Sequence, residues 1–349
     1  MNHNGGPLRI AQVAPLIESV PPRAYGGTER VVSYLTEELV RLGHNVTLFA
    51  SSDSCSSARL ISGCNGSLRL GGHARGELAH HLLLLEKVSN LKQDFDIIHY
   101  HMDYLHFPIT RRLGVPNLTT LHGRLDDPEL QPIFGEYRDM PLASISNAQR
   151  VPLAFANWAG TVYHGLPRDL LSSRERPEDY LAFLGRISPE KGVDQAVEIA
   201  RRAGRRIKIA AKIDPVDGDY FERIKGVMSQ PHVEFLGEIG EAEKSRFLGR
   251  AHALLFPINW PEPFGLTVIE AMACGTPTIA FNRGSMPEII ENGINGFIVQ
   301  NAEEAVGALG RLADFDRQRC RKRFEERFTV GRMAEDYLAL YRDLLKRRI

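Results

Sequence analysis

The chain has little cysteine, no excess of either charge and no apolar run long enough to cross a bilayer, and each shortage removes a class of function. Its 349 residues include four cysteines, Cys55, Cys64, Cys274 and Cys320, without the paired spacing of a zinc site. Cys55 and Cys64 could meet across a loop, but a chain of this length does not depend on a disulfide framework. Lys plus Arg and Asp plus Glu number 43 each, so no overall field draws the protein to nucleic acid. The longest apolar stretch, residues 82–85, runs into Glu86 and Lys87 and is far too short for a transmembrane helix. Residues 1–7 are polar and glycine-rich and lack the basic start, apolar run and cleavage site of a signal peptide, so a cytoplasmic location is expected. Nucleotide motifs are missing too. No GxGxxG fingerprint follows the first strand, which argues against nicotinamide or flavin binding, and no GKS or GKT loop supports triphosphate hydrolysis.

What remains is an α/β pattern long enough for two domains of about 150 to 180 residues. Strand-like runs at 9–14, 45–50, 96–101, 117–121 and 161–164 alternate with helix-like runs at 29–42 and 75–90. A polar stretch at 169–179 reads as a linker. Alternation then restarts, with strands at 180–184, 207–211, 233–236, 253–257, 278–281 and 297–299, and helices at 192–202, 219–228, 241–250 and 266–274. Two doubly wound domains of parallel sheet facing a central cleft are the simplest reading, divided at 1–169 and 170–331. Ligands in such sheets gather beyond the carboxyl ends of the strands.

Four segments at those ends carry chemistry. Residues 262–277 place Glu262 before a glycine-opened helix and Glu270 inside it. Gly265 lets a ligand approach the backbone, the helix from Leu266 turns free N–H groups toward an anion, and Gly275 with Pro277 ends the helix. Two carboxylates beside an anion site must serve other groups, and sugar hydroxyls are the natural donors to them, so the inferred ligand is a nucleotide-linked sugar. Residues 185–192 follow the first strand of the second half, where Arg186 supplies a fork of donors and Lys191 a point charge for one compact anion; two surface charges are the other reading. Gly26 and Gly27 follow the first strand through a proline-rich loop, where they either bring N–H groups to a phosphate or simply start a helix. His122, directly after the strand ending at Leu121, either donates a hydrogen bond to a sugar hydroxyl or is a satisfied structural histidine. His99, His101 and Asp103 imitate a metal cluster, but ordinary packing is preferred, since a parallel strand end offers no obvious fourth ligand; no metal is expected.

Residues 316–349 are helical in pattern, with Phe324, Phe328, Met333, Tyr337, Leu340, Tyr341 and Leu344 as core candidates. Arg317, Arg319, Arg321, Lys322, Arg323 and Arg327 form a basic cluster, either a solvated face or a surface for anionic lipid at the inner face of a membrane.

Together these segments resemble glycosyltransferase family 4, retaining enzymes of the GT-B fold, over nearly the whole chain. The signature is a glutamate, seven residues and a second glutamate, here Glu262 and Glu270. The resemblance implies that Glu262 contacts the transferred hexose, Glu270 the nucleotide ribose, Arg186 and Lys191 the diphosphate, and His122 the donor sugar. It also places Gly27 in a loop near the donor phosphates, Gly265 and Leu266 beside the sugar and phosphates, and residues 332–349 as a terminal helix returning to the first domain. Ser146 to Arg150, Tyr163-His164-Gly165, Pro287-Glu288 and Asn295-Gly296-Phe297 add to the likeness, whereas Arg283-Gly284 stands where many relatives have two glycines.

The implied activity is metal-independent, retaining transfer of a hexose from a nucleotide-diphosphate sugar to a hydroxyl acceptor, without a further cofactor. UDP-glucose or a related UDP-sugar is the expected donor and GDP-mannose the chief alternative. A GT-B nucleotide-sugar epimerase and a non-catalytic sugar-nucleotide-binding protein are the competing readings.

Overall fold

Short apolar runs, too brief for helices and buried on both faces, become the strands of two parallel sheets in the computed structural model, which describes residues 6–23, 26–69, 76–173, 176–313 and 315–347. Parts of the expected segments at residues 1–7, Tyr25, Arg75, Arg174 with Glu175, and the carboxyl end of the tail lie outside the described residues. Two compact units result, one of residues 1–165 with 330–349 and one of residues 166–329. The divisions lie a few residues before 169/170 and 331/332.

The first unit holds strands β1 (Arg9–Val13), β2 (Asn45–Ala50), β3 (Arg59–Ser62), β4 (Ile97–Tyr100), β5 (Asn117–Thr120), β6 (Leu142–Ser144) and β7 (Trp158–Thr161). They pair in parallel in the order β3-β2-β1-β4-β5-β6-β7. All four residues of β4 are fully buried, as a strand covered by helices on both faces requires. Helix Gly27–Arg41 buries Val31, Leu35 and Leu39, one face at four-residue spacing.

The second unit holds β8 (Tyr180–Arg186), β9 (Arg206–Lys212), β10 (Val233–Gly237), β11 (Ala253–Phe256), β12 (Thr278–Phe281) and β13 (Gly296–Val299), in the parallel order β10-β9-β8-β11-β12-β13. Each unit is therefore a Rossmann-like, doubly wound layer structure. Strand order reverses between β1 and β4 and between β8 and β11, and the loops leaving the carboxyl ends of strands at such a switch open a crevice.

Three local readings change. Strands β3 and β6, one half-exposed and one of three residues, carry too little pattern to be seen in sequence. The strand expected at 161–164 lies at Trp158–Thr161, and the buried Val162 and His164 that suggested it belong to the following loop. The tail is two helices, Arg317–Arg327 and Val330–Lys346, broken at Phe328 and Thr329, where Leu166 and Thr329 form an isolated parallel bridge. Phe324, Phe328, Met333, Tyr337 and Tyr341 are fully buried, while Leu340 and Leu344 are half-buried.

Candidate active site

At the switch point of the second sheet, β8 delivers Arg186 at its last residue, and the turn Pro189–Lys191 delivers Lys191. Gly192, at φ +67°, has no room for a Cβ because the backbone oxygen of Pro257 occupies that place, so the turn after β8 and the loop after β11 touch through backbone. Arg186 Nε lies 3.1 Å from Asp217 Oδ2, and its Nη2 lies 3.5 Å from Glu190 Oε1. Lys191 Nζ donates to Glu262 Oε2 at 2.6 Å and sits 5.0 Å from the Trp260 ring centroid. Both partners of that pair are mostly buried, which raises the cost of separating them without a replacement charge.

The loop carrying Glu262 is held from behind. Gly284, at φ +53°, packs its Cα against the backbone N and O of Glu262, and any Cβ there would overlap them. Ser285 N donates to Glu262 O at 3.0 Å, and Ser285 Oγ donates to Phe264 O at 2.7 Å. Gly265, at φ +94°, then turns the chain into helix Leu266–Ala273, where a Cβ would lie 2.8 Å from Met286 Cε. The first N–H groups of this helix, at Leu266 and Thr267, have no acceptor one turn back and favour an anion. At the other end, Arg321 Nη1 donates to Ala273 O at 2.6 Å, putting a cation where the helix dipole is negative. Glu270, one turn into the helix and buried, accepts from Lys244 Nζ at 2.7 Å.

The structure thus brings Arg186, Lys191, Glu262, Gly265 and Leu266 to one strand-end crevice, with Glu270 a turn behind. Sequence reading missed Asp217, Lys244, Trp260 and Ser285. Lys244 is 26 residues from its carboxylate and lies in no motif, so only the fold reveals the pair. Trp260 carried a usable signal, being one of two tryptophans in the chain and two residues before Glu262.

In the first unit Gly27 opens helix Gly27–Arg41 after β1, and His122 follows β5. His99 in β4 and His101 just past its end lie on one side, as their spacing predicts, with ring centroids 4.0 Å apart. Their ring nitrogens are engaged: His99 with Tyr341 Oη and Thr120 Oγ1, both at 2.7 Å, and His101 with Gln12 Oε1 at 2.7 Å and His122 Nε2 at 2.9 Å. His122 stacks on His164 at 5.3 Å. Burial holds His99, His101, His106 and His164 well below the usual histidine range and pushes His122 down to about 3, so all five are neutral at neutral pH.

The basic tail residues are largely taken up by the fold. Arg317 is buried and donates to Ala251 O, Gly249 O and Thr276 Oγ1, Arg323 pairs with Glu291 at 2.6 Å, and Arg327 donates to Glu288 O. Among the described residues, no group of three or more His, Cys, Asp and Glu is placed to hold a metal ion, and no helix is long and apolar enough to cross a membrane. The four cysteines are free thiols.

Comparison with known proteins fits this architecture. Residues 25–164 match the family model described as Glycosyltransferase Family 4, and residues 172–327 match that of Glycosyl transferases group 1. An uncharacterized glycosyltransferase of Methanocaldococcus jannaschii is 26% identical over 60% of this chain and 62% of its own length. The chain spans 62%, 46% and 33% of the lengths of the first three curated relatives it matches. Among solved structures, AviGT4, a glycosyltransferase involved in avilamycin A biosynthesis, is 25% identical with a TM-score of 0.75 over 97% of this chain and 98% of its own. Anabaena HepE, solved with UDP and glucose, shares the fold at a TM-score of 0.71 and 18% identity over 95% of this chain and 98% of its own. With one family model on each Rossmann-like unit, the chain belongs to the GT-B fold glycosyltransferase superfamily, related to its group 1 and family 4 members.

Proposed function

We propose that the protein is a retaining glycosyltransferase that moves a hexose from a nucleotide-diphosphate sugar, a UDP-sugar such as UDP-glucose in the first instance, to a hydroxyl acceptor. The observation that carries the reading is the contact of Lys191, in the turn after β8, with Glu262, just before the open end of helix Leu266–Ala273 at the β8/β11 switch point, with Arg186 at the end of β8. The second unit is then the donor-binding domain and the first the acceptor-side domain. HepE supports UDP as the nucleotide through likeness of fold, and GDP-mannose is the alternative donor.

In this reading Arg186 and the N–H groups at Leu266 and Thr267 take the diphosphate. Lys191 has three N–H donors and uses one on Glu262, so it can hold Glu262 in place and still reach a phosphate oxygen. As the bond between the anomeric carbon and the phosphate oxygen breaks, charge grows on the leaving diphosphate, and these donors stabilise it without reorganising. The acceptor hydroxyl attacks from the same face, forming the new bond at that carbon, and its proton passes to the departing phosphate oxygen. Glu262 orients the hexose, Glu270 binds the ribose, and Gly27 and His122 line the acceptor side and the donor sugar by family likeness.

The test is a panel of nucleotide sugars incubated with mixed acceptors, analysed for released nucleotide and glycosylated product. The reading expects both together, with the donor's anomeric configuration kept in excess chelator. An inverted product would reject the mechanism, nucleotide sugar epimerised without an acceptor would make the protein an epimerase, and tight donor binding without turnover would make it a binding protein.

A further inference from the structure

His122 ends a buried relay whose proton positions can be worked out one group at a time. Gln12 Nε2 donates to Tyr341 Oη at 3.2 Å, so Gln12 Oε1 faces His101 and accepts from it at 2.7 Å. His101 therefore carries its proton on Nε2. As a neutral ring it has a lone pair on Nδ1, and that atom lies 2.9 Å from His122 Nε2, which must supply the proton between them. His122 is then protonated on Nε2 and bare on Nδ1. That Nδ1 is buried and has no hydrogen-bond partner among the described residues.

Reversing the relay, with the Gln12 amide turned over, would satisfy the same contacts in the opposite sense but leave an N–H at His122 Nδ1. An orphaned buried donor is rarer and costlier than an unused lone pair, which favours the arrangement described. Tyr341 stands behind it: its oxygen accepts from Gln12, and its own proton can then go to His99 Nδ1, 2.7 Å away. The low proton affinity that burial gives to His101 and His122 agrees with two neutral rings sharing one proton between them.

We propose that Gln12, oriented by Tyr341 and acting through His101, is a positioning residue that locks His122 in its Nε2–H form and presents Nδ1 as a hydrogen-bond acceptor. Any group that meets this buried atom is consequently an O–H or N–H donor, a hydroxyl in the glycosyl-transfer reading, and never a carbonyl or phosphate oxygen. This reverses the donor role that a histidine at this strand end suggests from sequence. The naming of a hydroxyl rests on the proposed function; the tautomer does not.

Two-bond proton–nitrogen correlation spectra of the protein labelled with 15N-histidine read the tautomer directly, with the His122 pattern assigned by its loss in His122→Asn. The expected wild-type pattern near neutral pH, with or without turnover, is protonated Nε2 and lone-pair Nδ1. Gln12→Glu, which in its ionised form can only accept from His101, should keep that pattern, whereas Gln12→Leu should lose it to a mixture. A wild-type His122 protonated on Nδ1 would overturn the proposal, and so would a folded Gln12→Leu protein with an unchanged pattern. If neither variant folds, the wild-type spectrum decides alone. Because the spectrum needs no substrate, its failure is distinct from a failure to transfer sugar.

Discussion

Mild acid should unfold the first unit before the second. A histidine that titrates near 6.5 in the unfolded chain but is held neutral by burial contributes fully above that value, and its contribution is lost as pH falls from there toward the folded pKa. His99, His101, His106, His122 and His164 are all of this kind and all lie in the first unit. Between about pH 7 and about pH 5 one such group can remove up to about 2 kcal/mol, so several together remove a large part of the stability of a domain. His81 acts in the same direction, while Glu29 and Asp103, whose carboxyls burial raises, Asp103 to about 6, oppose it. In the second unit only His252 among the described histidines is shifted down. The two tryptophans separate the units, since Trp158 begins β7 and Trp260 lies beside Lys191. Urea unfolding of Trp260→Phe, followed through Trp158, should lose most of its midpoint over this range. Trp158→Phe, followed through Trp260, should lose about 2 kcal/mol or less. Equal shifts, or a first unit indifferent to pH, would show that these rings are hydrated or already charged when folded and would sink the argument.

Arg186→Ala and Lys191→Ala should each lower kcat/KM for the donor about tenfold or more, since a charge-assisted hydrogen bond contributes about 1.5 to 3 kcal/mol; unchanged donor kinetics in both folded variants would reject their assignment. Gly284→Ala should displace the Glu262 backbone and destabilise the second unit by about 1 to 3 kcal/mol, read as a lower Trp260 midpoint; a neutral outcome would mean the loop yields freely. Glu270→Ala should weaken free nucleoside diphosphate binding in a calorimetric titration while Glu262→Gln leaves it nearly intact; the opposite ranking would exchange the two roles.

Legibility of the sequence followed the range of the interactions. Strands β2 and β12 and the helix Glu241–Arg250 stand where the apolar pattern puts them, because burial of one segment on both faces writes itself into consecutive residues. β3 and β6 left no such record, being half-exposed or three residues long. The site was legible where glycine was forced: Gly192 and Gly265 each adopt a left-handed conformation against a neighbouring atom, and no other residue fits. Partners contributed by distant segments were not legible. Glu270 meets Lys244 across two helices, and His122 is governed by Gln12 and Tyr341, which are 329 residues apart. Arg317 of the basic tail was not legible for the same reason, since nothing local tells that it turns inward to backbone oxygens.

Helix Val330–Lys346 belongs with the first unit although all of the second unit separates it from the rest of that unit in the chain. On the ribosome this sets an order of completion. Residues 166–329 can close their core as soon as Thr329 has emerged, whereas the sheet made first waits for Tyr337 and Tyr341, whose hydroxyls meet Thr120 and His99. Until then His99 of β4 lacks Tyr341 and Thr120 lacks Tyr337, so the first-made of the two units is the last to be complete. A chain stalled or clipped between the two tail helices would carry a finished second unit joined to a first unit that cannot set its own proton relay.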